Sequence, residues 1–159
     1  MNRDSAPHLR WAMTVAMTLA MLLAAWGGVT GYSAERKVRD ITFDDLKFEI
    51  KKGDPFERSM LTDKIERFHG ERIRIRGFIL PSFQAAGITQ FVLVRDNLEC
   101  CFGPGAALFD CILVELAPGK ATSFTVRPVA VEGVFNIKPL LGPGGKHLAI
   151  YRLEGWSVK

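Results

Sequence analysis

FVLVRDNLECCFGPGAALFDCILVE, residues 91–115, reads as strand, loop, strand, and it holds every cysteine of the chain: Cys100, Cys101 and Cys111. Both flanks are apolar and rich in β-branched residues, while Gly103-Pro104-Gly105 interrupts the middle. A hairpin built this way brings the thiols at the feet of the loop close together. The strands it predicts run from Gln90 to Asp96 and from Phe109 to Leu116. Any chemical site in this chain is expected here.

Upstream, Ile73 and Ile75 alternate with Arg72, Arg74 and Arg76, the pattern of a half-buried strand with an arginine face. Gly77 then interrupts the run before Phe78-Ile79-Leu80. Downstream, Val129, Val131, Phe135 and Ile137 share one face of a strand within Phe124–Ile137, with Gly133 among them. Two strands kinked at glycine are what a small closed sheet uses to turn its corners. Gly142-Pro143-Gly144-Gly145 is a turn, and His147 to Leu153 a closing strand. Ahead of the strands, Met60 or Leu61, Ile65 and Phe68 recur at helical spacing over Phe56–Phe68. Asp54 and Pro55 stand as cap and first residue, and Gly70 as the stop. The fold class expected is mainly β: a small five-stranded OB-like barrel preceded by one helix, over residues 54–159. A two-layer β-sandwich is the alternative. Residues 35–53 are expected to be a linker with a short extended segment.

The first 34 residues read as a signal peptide or a membrane anchor. From Trp11 to Tyr32 there is no charge, and Arg3 and Arg10 precede this tract. The tract is long enough to span the ~30 Å hydrocarbon core as a hydrophobic helix. Small residues near Ser33-Ala34 suit cleavage; bulky Tyr32 does not. No cysteine precedes residue 100, which excludes a lipoprotein anchor. Both readings place the rest of the chain in the cell envelope, periplasmic or membrane-anchored, where disulfides are allowed. The net charge of +4 is too mild to imply a nucleic-acid partner.

Gly70-Glu-Arg-Ile-Arg-Ile-Arg-Gly-Phe-Ile-Leu-Pro81, then Gln90-Phe-Val-Leu-Val94, then a cysteine-bearing loop, resembles the bacterial domain-of-unknown-function family 3299. The likeness covers about residues 56–155. Cys100 or Cys101 stands at that family's cysteine position. Phe102-Gly-Pro-Gly-Ala-Ala replaces its run of prolines, and the extra cysteines look like those of a planctomycete-type branch. The resemblance implies an exported OB-like domain with no established activity. It also implies kinship with proteins linked to zinc-responsive transport.

The cysteines admit three readings. With His147, or else His69 or Asp110, the thiolates of Cys100, Cys101 and Cys111 would make a tetrahedral zinc site. A disulfide from Cys111 to Cys100 or Cys101 would staple the hairpin instead. All three could also be thiols packed as small apolar groups. The vicinal pair lacks the two-residue gap of the usual redox motif, so thiol oxidoreduction ranks behind these. No Ser-His-Asp set, phosphate loop or paired catalytic carboxylates stand out, which favours binding over catalysis. The function expected is a membrane-tethered or exported binding module, with zinc as its candidate cofactor and an envelope protein as its candidate partner.

Overall fold

Isoleucines alternating with arginines are fitted to a surface buried on one side, and residues 72–79 form such a strand. The computed structural model describes residues 37–51, 54–96 and 107–159. Among them, six strands form one sheet: β1 Arg39–Ile41, β2 Arg72–Ile79, β3 Gln90–Val94, β4 Cys111–Leu116, β5 Val129–Leu141 and β6 His147–Val158. The molecule is mainly β, as expected, with one strand more than the five counted from sequence. The residues read as a signal or anchor lie outside the described part. No helix among the described residues is long and apolar enough to cross a membrane.

β2 turns Ile73, Ile75, Gly77 and Ile79 inward and leaves Arg72, Arg74 and Arg76 outward or at the rim. The alternation therefore continues through Gly77 rather than breaking there. β2 meets three strands. It pairs in parallel with β1, antiparallel with β5 over Arg72–Gly77, and antiparallel with β3 at Phe78 and Ile79. β3 continues into β4, β4 pairs in parallel with β6, and β6 pairs antiparallel with β5. β5 and β6 run further than expected, to Leu141 and Val158.

The helix expected over Phe56–Phe68 is replaced by two short pieces. Arg58–Met60 is a 3-10 turn, Leu61 is extended, and one α-helical turn, α1, covers Asp63–Glu66. Asp54 and Pro55 start no helix. Thr62 caps α1 instead, its hydroxyl accepting the Ile65 N–H at 3.4 Å. The burial expected of this segment still holds, since Phe56, Leu61, Ile65 and Phe68 all enter the core. Short isolated helices are marginal in water, so packing of these side chains, not propensity, sets the backbone. Gly70 ends the segment at φ +78, and its N–H donates to the Phe135 carbonyl at 2.7 Å.

Residues ahead of this segment also fill the core. Ile41, Phe43, Leu46 and Phe48 are buried beside Ile73, Ile75, Phe135, Tyr151 and Leu153. Arg74 fastens β1 down: its guanidinium donates to Glu132 on β5 at 2.8 Å and to Asp40 on β1 at 3.2 Å. The bond from Arg74 first, and the nearby Lys159 ammonium, hold the Glu132 carboxyl below its ordinary pKa.

Candidate functional site

β3 and β4 are apolar on both faces. Phe91, Leu93, Ile112 and Val114 point into the main core. Val94, Cys111 and Leu113, with Ala149 of β6, form a second buried cluster on the other side, and Phe78, Leu80, Val92 and Leu140 pack against it. The sequence signal for this was present. QFVLV and CILVEL are nearly continuous apolar runs, the mark of strands covered on both faces. Sequence reasoning singled out the thiols of this region and missed the apolar face around them.

Cys111 opens β4 opposite Val94 and is 2% exposed. Its S–H lies 3.7 Å from the Leu108 carbonyl and 3.8 Å from the Leu148 carbonyl, both within reach as weak acceptors. His147 opens β6 next to that second carbonyl. Its ring meets Phe56 edge-on at 5.5 Å between centroids. An open cleft of about 450 Å³ is lined by His147, Lys146, Gly145, Leu108, Pro55 and Asp54. Cys111 and His147 thus share the neighbourhood of Leu108 and Leu148.

The other candidates are placed differently. Cys100 and Cys101 lie outside the described residues. His69 is exposed, and its Nδ1 accepts the Ile137 N–H at 3.2 Å, which ties it to β5. Asp110 is buried beside Arg95, whose guanidinium lies 3.6 Å from its carboxylate. The same guanidinium reaches Asp44 at 3.1 Å. Lys47 and then Arg95 hold the Asp44 carboxyl below its usual pKa. Among the described residues, no three His, Cys, Asp or Glu side chains come together as a metal cage.

A family model described as Protein of unknown function (DUF3299) matches residues 30–159. The chain belongs to this family. A solved DUF3299 structure, from Pseudomonas aeruginosa PAO1, is similar at 17% identity and a TM-score of 0.52. The match covers 77% of this chain and 95% of that one. At such identity the likeness speaks for the fold alone. No curated protein matches the chain. The DUF3299 match takes in β1–β6 and the whole cysteine segment, so the resemblance read from Gly70–Pro81 and Gln90–Val94 holds.

Around the apolar face the DUF3299 chain exposes further large side chains. Leu141 and Leu148 are 57% and 37% exposed, and Phe83 is fully exposed. Leu141 and Leu148 flank the Gly142–Lys146 turn. Phe83 sits in the loop between β2 and β3.

Proposed function

We propose that this DUF3299 protein is an OB-like binding module of the cell envelope that docks an apolar segment of a protein partner. The observation that carries the reading is the pair of exposed leucines, Leu141 and Leu148, at the edge of the buried apolar cluster of β3, β4 and β6. The strand pairings support the OB-like part. They run β2–β3–β4–β6–β5 and return from β5 to β2. In OB folds the second and third strands of that ring, with the first-to-second and fourth-to-fifth loops, carry the ligand. Here those places fall to β3, β4, the Phe83 loop and the Gly142–Lys146 turn. The two leucines adjoin the buried cluster of Val94, Cys111, Leu113 and Ala149, against which Leu140 packs. Exposed leucines on either side of one turn suit an apolar protein segment as occupant.

A photoreactive residue placed at Leu141 or Leu148 in intact cells tests this. Both positions are expected to yield one discrete crosslinked adduct. A control at exposed Lys120 is expected to yield none. Equal labelling from Lys120, or no adduct from either leucine, sinks the reading. Leu148→Asp is expected to abolish the adduct formed from Leu141 while the protein stays folded.

A second reading keeps zinc. Its support is the placement of Cys111 and His147 around Leu108 and Leu148. Cys100 and Cys101 complete the ligand set, and Cys111 must turn from carbonyl acceptors toward the ion as a thiolate. Metal content of the purified protein decides it. About one zinc per chain, lost on Cys111→Ser, is the expected result for a tetrahedral site of this ligand set. No metal, together with Cys111 paired to Cys100 or Cys101, leaves a stapled interaction domain. Thiol oxidoreduction draws nothing from Cys111, whose burial denies it the exposure a reactive thiolate needs.

A further inference from the structure

We infer that the loops carrying Phe83 and Val126 form an apolar tip that inserts among the headgroups of an anionic lipid bilayer. The tip is a different place from the Leu141–Leu148 edge, and the inference does not rest on that contact.

Two pairings bring these side chains to one end of the sheet. The β2–β5 ladder ends with Gly77 opposite Val129. From there one strand runs forward to Phe83, and the other is entered through Val126. The two loops meet again where the Phe124 N–H donates to the Ala85 carbonyl at 2.9 Å, and at the antiparallel bridge of Ile88 with Thr122. Phe83 and Val126 therefore lie between the same two fixed crossings and emerge together. Both loops are braced from within. Phe124 packs against the core, and the Arg127 N–H donates to Thr125 Oγ1 at 3.1 Å. In the other loop the Gln84 N–H donates to Ser82 Oγ at 3.3 Å, and the Gln84 side chain donates to the Gly87 carbonyl at 3.2 Å. Nothing covers the apolar groups between these braces: Phe83 is fully exposed and Val126 is 75% exposed.

The charge around the tip has one sign. Neither Gly77–Val94 nor Leu116–Val131 contains an Asp or Glu. Arg127 follows Val126 directly. Arg76 stands opposite Ala130 in an open cleft that Pro128 also lines. On the adjoining strands Glu132 is already bonded by Arg74 at 2.8 Å, and Glu115 by Arg152 at 3.3 Å. Arg76 and Arg127 are exposed and form no ion pair among the described residues.

This combination selects a bilayer over a protein. The anchors of protein interfaces are packed into shaped pockets, whereas hydrocarbon accepts an apolar group of any shape. A phenylalanine that packs on nothing of its own suits the second case. The arginines beside it can lay their stems along the apolar layer and bond phosphate with their heads. Each basic residue close to an anionic surface strengthens the contact by about fivefold.

The test places a photoreactive residue at Phe83 or at Val126 of the full chain, reconstituted with liposomes of phosphatidylglycerol or of phosphatidylcholine. Exposed Arg67 is the control position, two residues before His69, which is tied to Ile137 well along β5 from Val129. The expected result is a lipid adduct from both tip positions in phosphatidylglycerol, weaker by at least about fivefold in phosphatidylcholine and absent from Arg67. Arg76→Gln with Arg127→Gln is expected to bring the first yield down to the second, with an unchanged thermal midpoint. No lipid adduct from the tip, equal yields in the two lipids, or equal labelling from Arg67 overturns the inference. The same positions are then read in intact cells. An adduct with a protein in place of lipid assigns the tip to a protein partner and overturns the inference as well.

Discussion

Gly133→Ala is expected to cost ~3 kcal/mol of stability, the upper part of the range for overpacking a tight interior. The glycine is not there for its backbone angles, because φ at this position is ordinary. It is there for space. A Cβ at residue 133 would stand 2.6 Å from the Glu154 carbonyl oxygen, 2.9 Å from its carbon and 2.9 Å from Leu153 Cγ. Two of those three atoms are backbone and cannot rotate away. β5 shifts register against β6 between Glu132 and Gly133 while it is also paired to β2. Spreading β5 from β6 to admit a methyl group would therefore strain the β2 ladder as well. Gly77 stands in the same relation to β3, with a Cβ falling 2.6 Å from the Val94 carbonyl oxygen. Gly144→Ala makes the control. Its φ is +75 but nothing lies within 4 Å, so the cost there is the left-handed backbone alone, ~1 kcal/mol. Urea midpoints rank the three variants. Equal losses at Gly133 and Gly144 would mean that the close approach of β5 and β6 is not what the glycine serves.

Tyr151→Phe is expected to cost about 1–3 kcal/mol at neutral pH, because it strands a buried carbonyl. The hydroxyl of Tyr151 donates to the Leu46 carbonyl at 2.9 Å, and the side chain is fully buried. Burial first, and Glu66 second, push the phenol well above its ordinary pKa. The sign of the pH effect follows from proton counts. Above about pH 10 the unfolded chain has released this proton and the folded chain has not. The folded state then binds more protons, so stability falls as pH rises, by about 1.4 kcal/mol per pH unit from this one group. Below pH 10 the contribution is constant and fully present. The variant lacks the alkaline loss. Its deficit is expected to shrink above pH 10, with the two stability curves meeting near pH 11–12 on these magnitudes. Urea denaturation at half-unit intervals from pH 8 to 11.5 reads this directly. A gap that stays constant across that range would show that Tyr151 ionises freely in the folded protein.

Side-chain burial was legible in the sequence further than backbone shape. Ile73 and Ile75 against three arginines foretold an inner face, because that follows from local periodicity; Gly77 and Gly133 were read as kinks, and their role as points of close approach was not foretold. The helix over Phe56–Phe68 failed for a related reason. Its apolar residues do turn inward, but an extended residue at Leu61 serves that burial as well as a helix does, and spacing alone cannot separate the two. β1 left little signal beyond the short extended segment expected within residues 35–53. Arg39-Asp40-Ile41 shows one apolar residue, and what makes it a strand is a parallel partner more than thirty residues away. β6 was cut short at Leu153 because Gly155 breaks the apolar pattern. That glycine stands opposite Gly133, where two ladders crowd together. At the candidate site, Cys111 and His147 were singled out; Cys111 packs in the second apolar cluster and the His147 ring packs against Phe56. The apolar face around them was passed over, although the near-continuous apolar runs of QFVLV and CILVEL carried its signal.

The pairing of β1 with β2 also has a mechanical meaning. The two strands run in parallel, in register from Arg39 with Ile73 to Ile41 with Ile75. A pull on the chain ahead of Lys37, directed along the strand, loads all the bonds of this short ladder at once. It cannot unzip them singly. The Arg74 clasp on Asp40 and Glu132 crosses the same joint and shares the load. The first residues of the folded part thus act as a strain relief, taking tension from the leading segment before it reaches the rings of Phe135 and Tyr151.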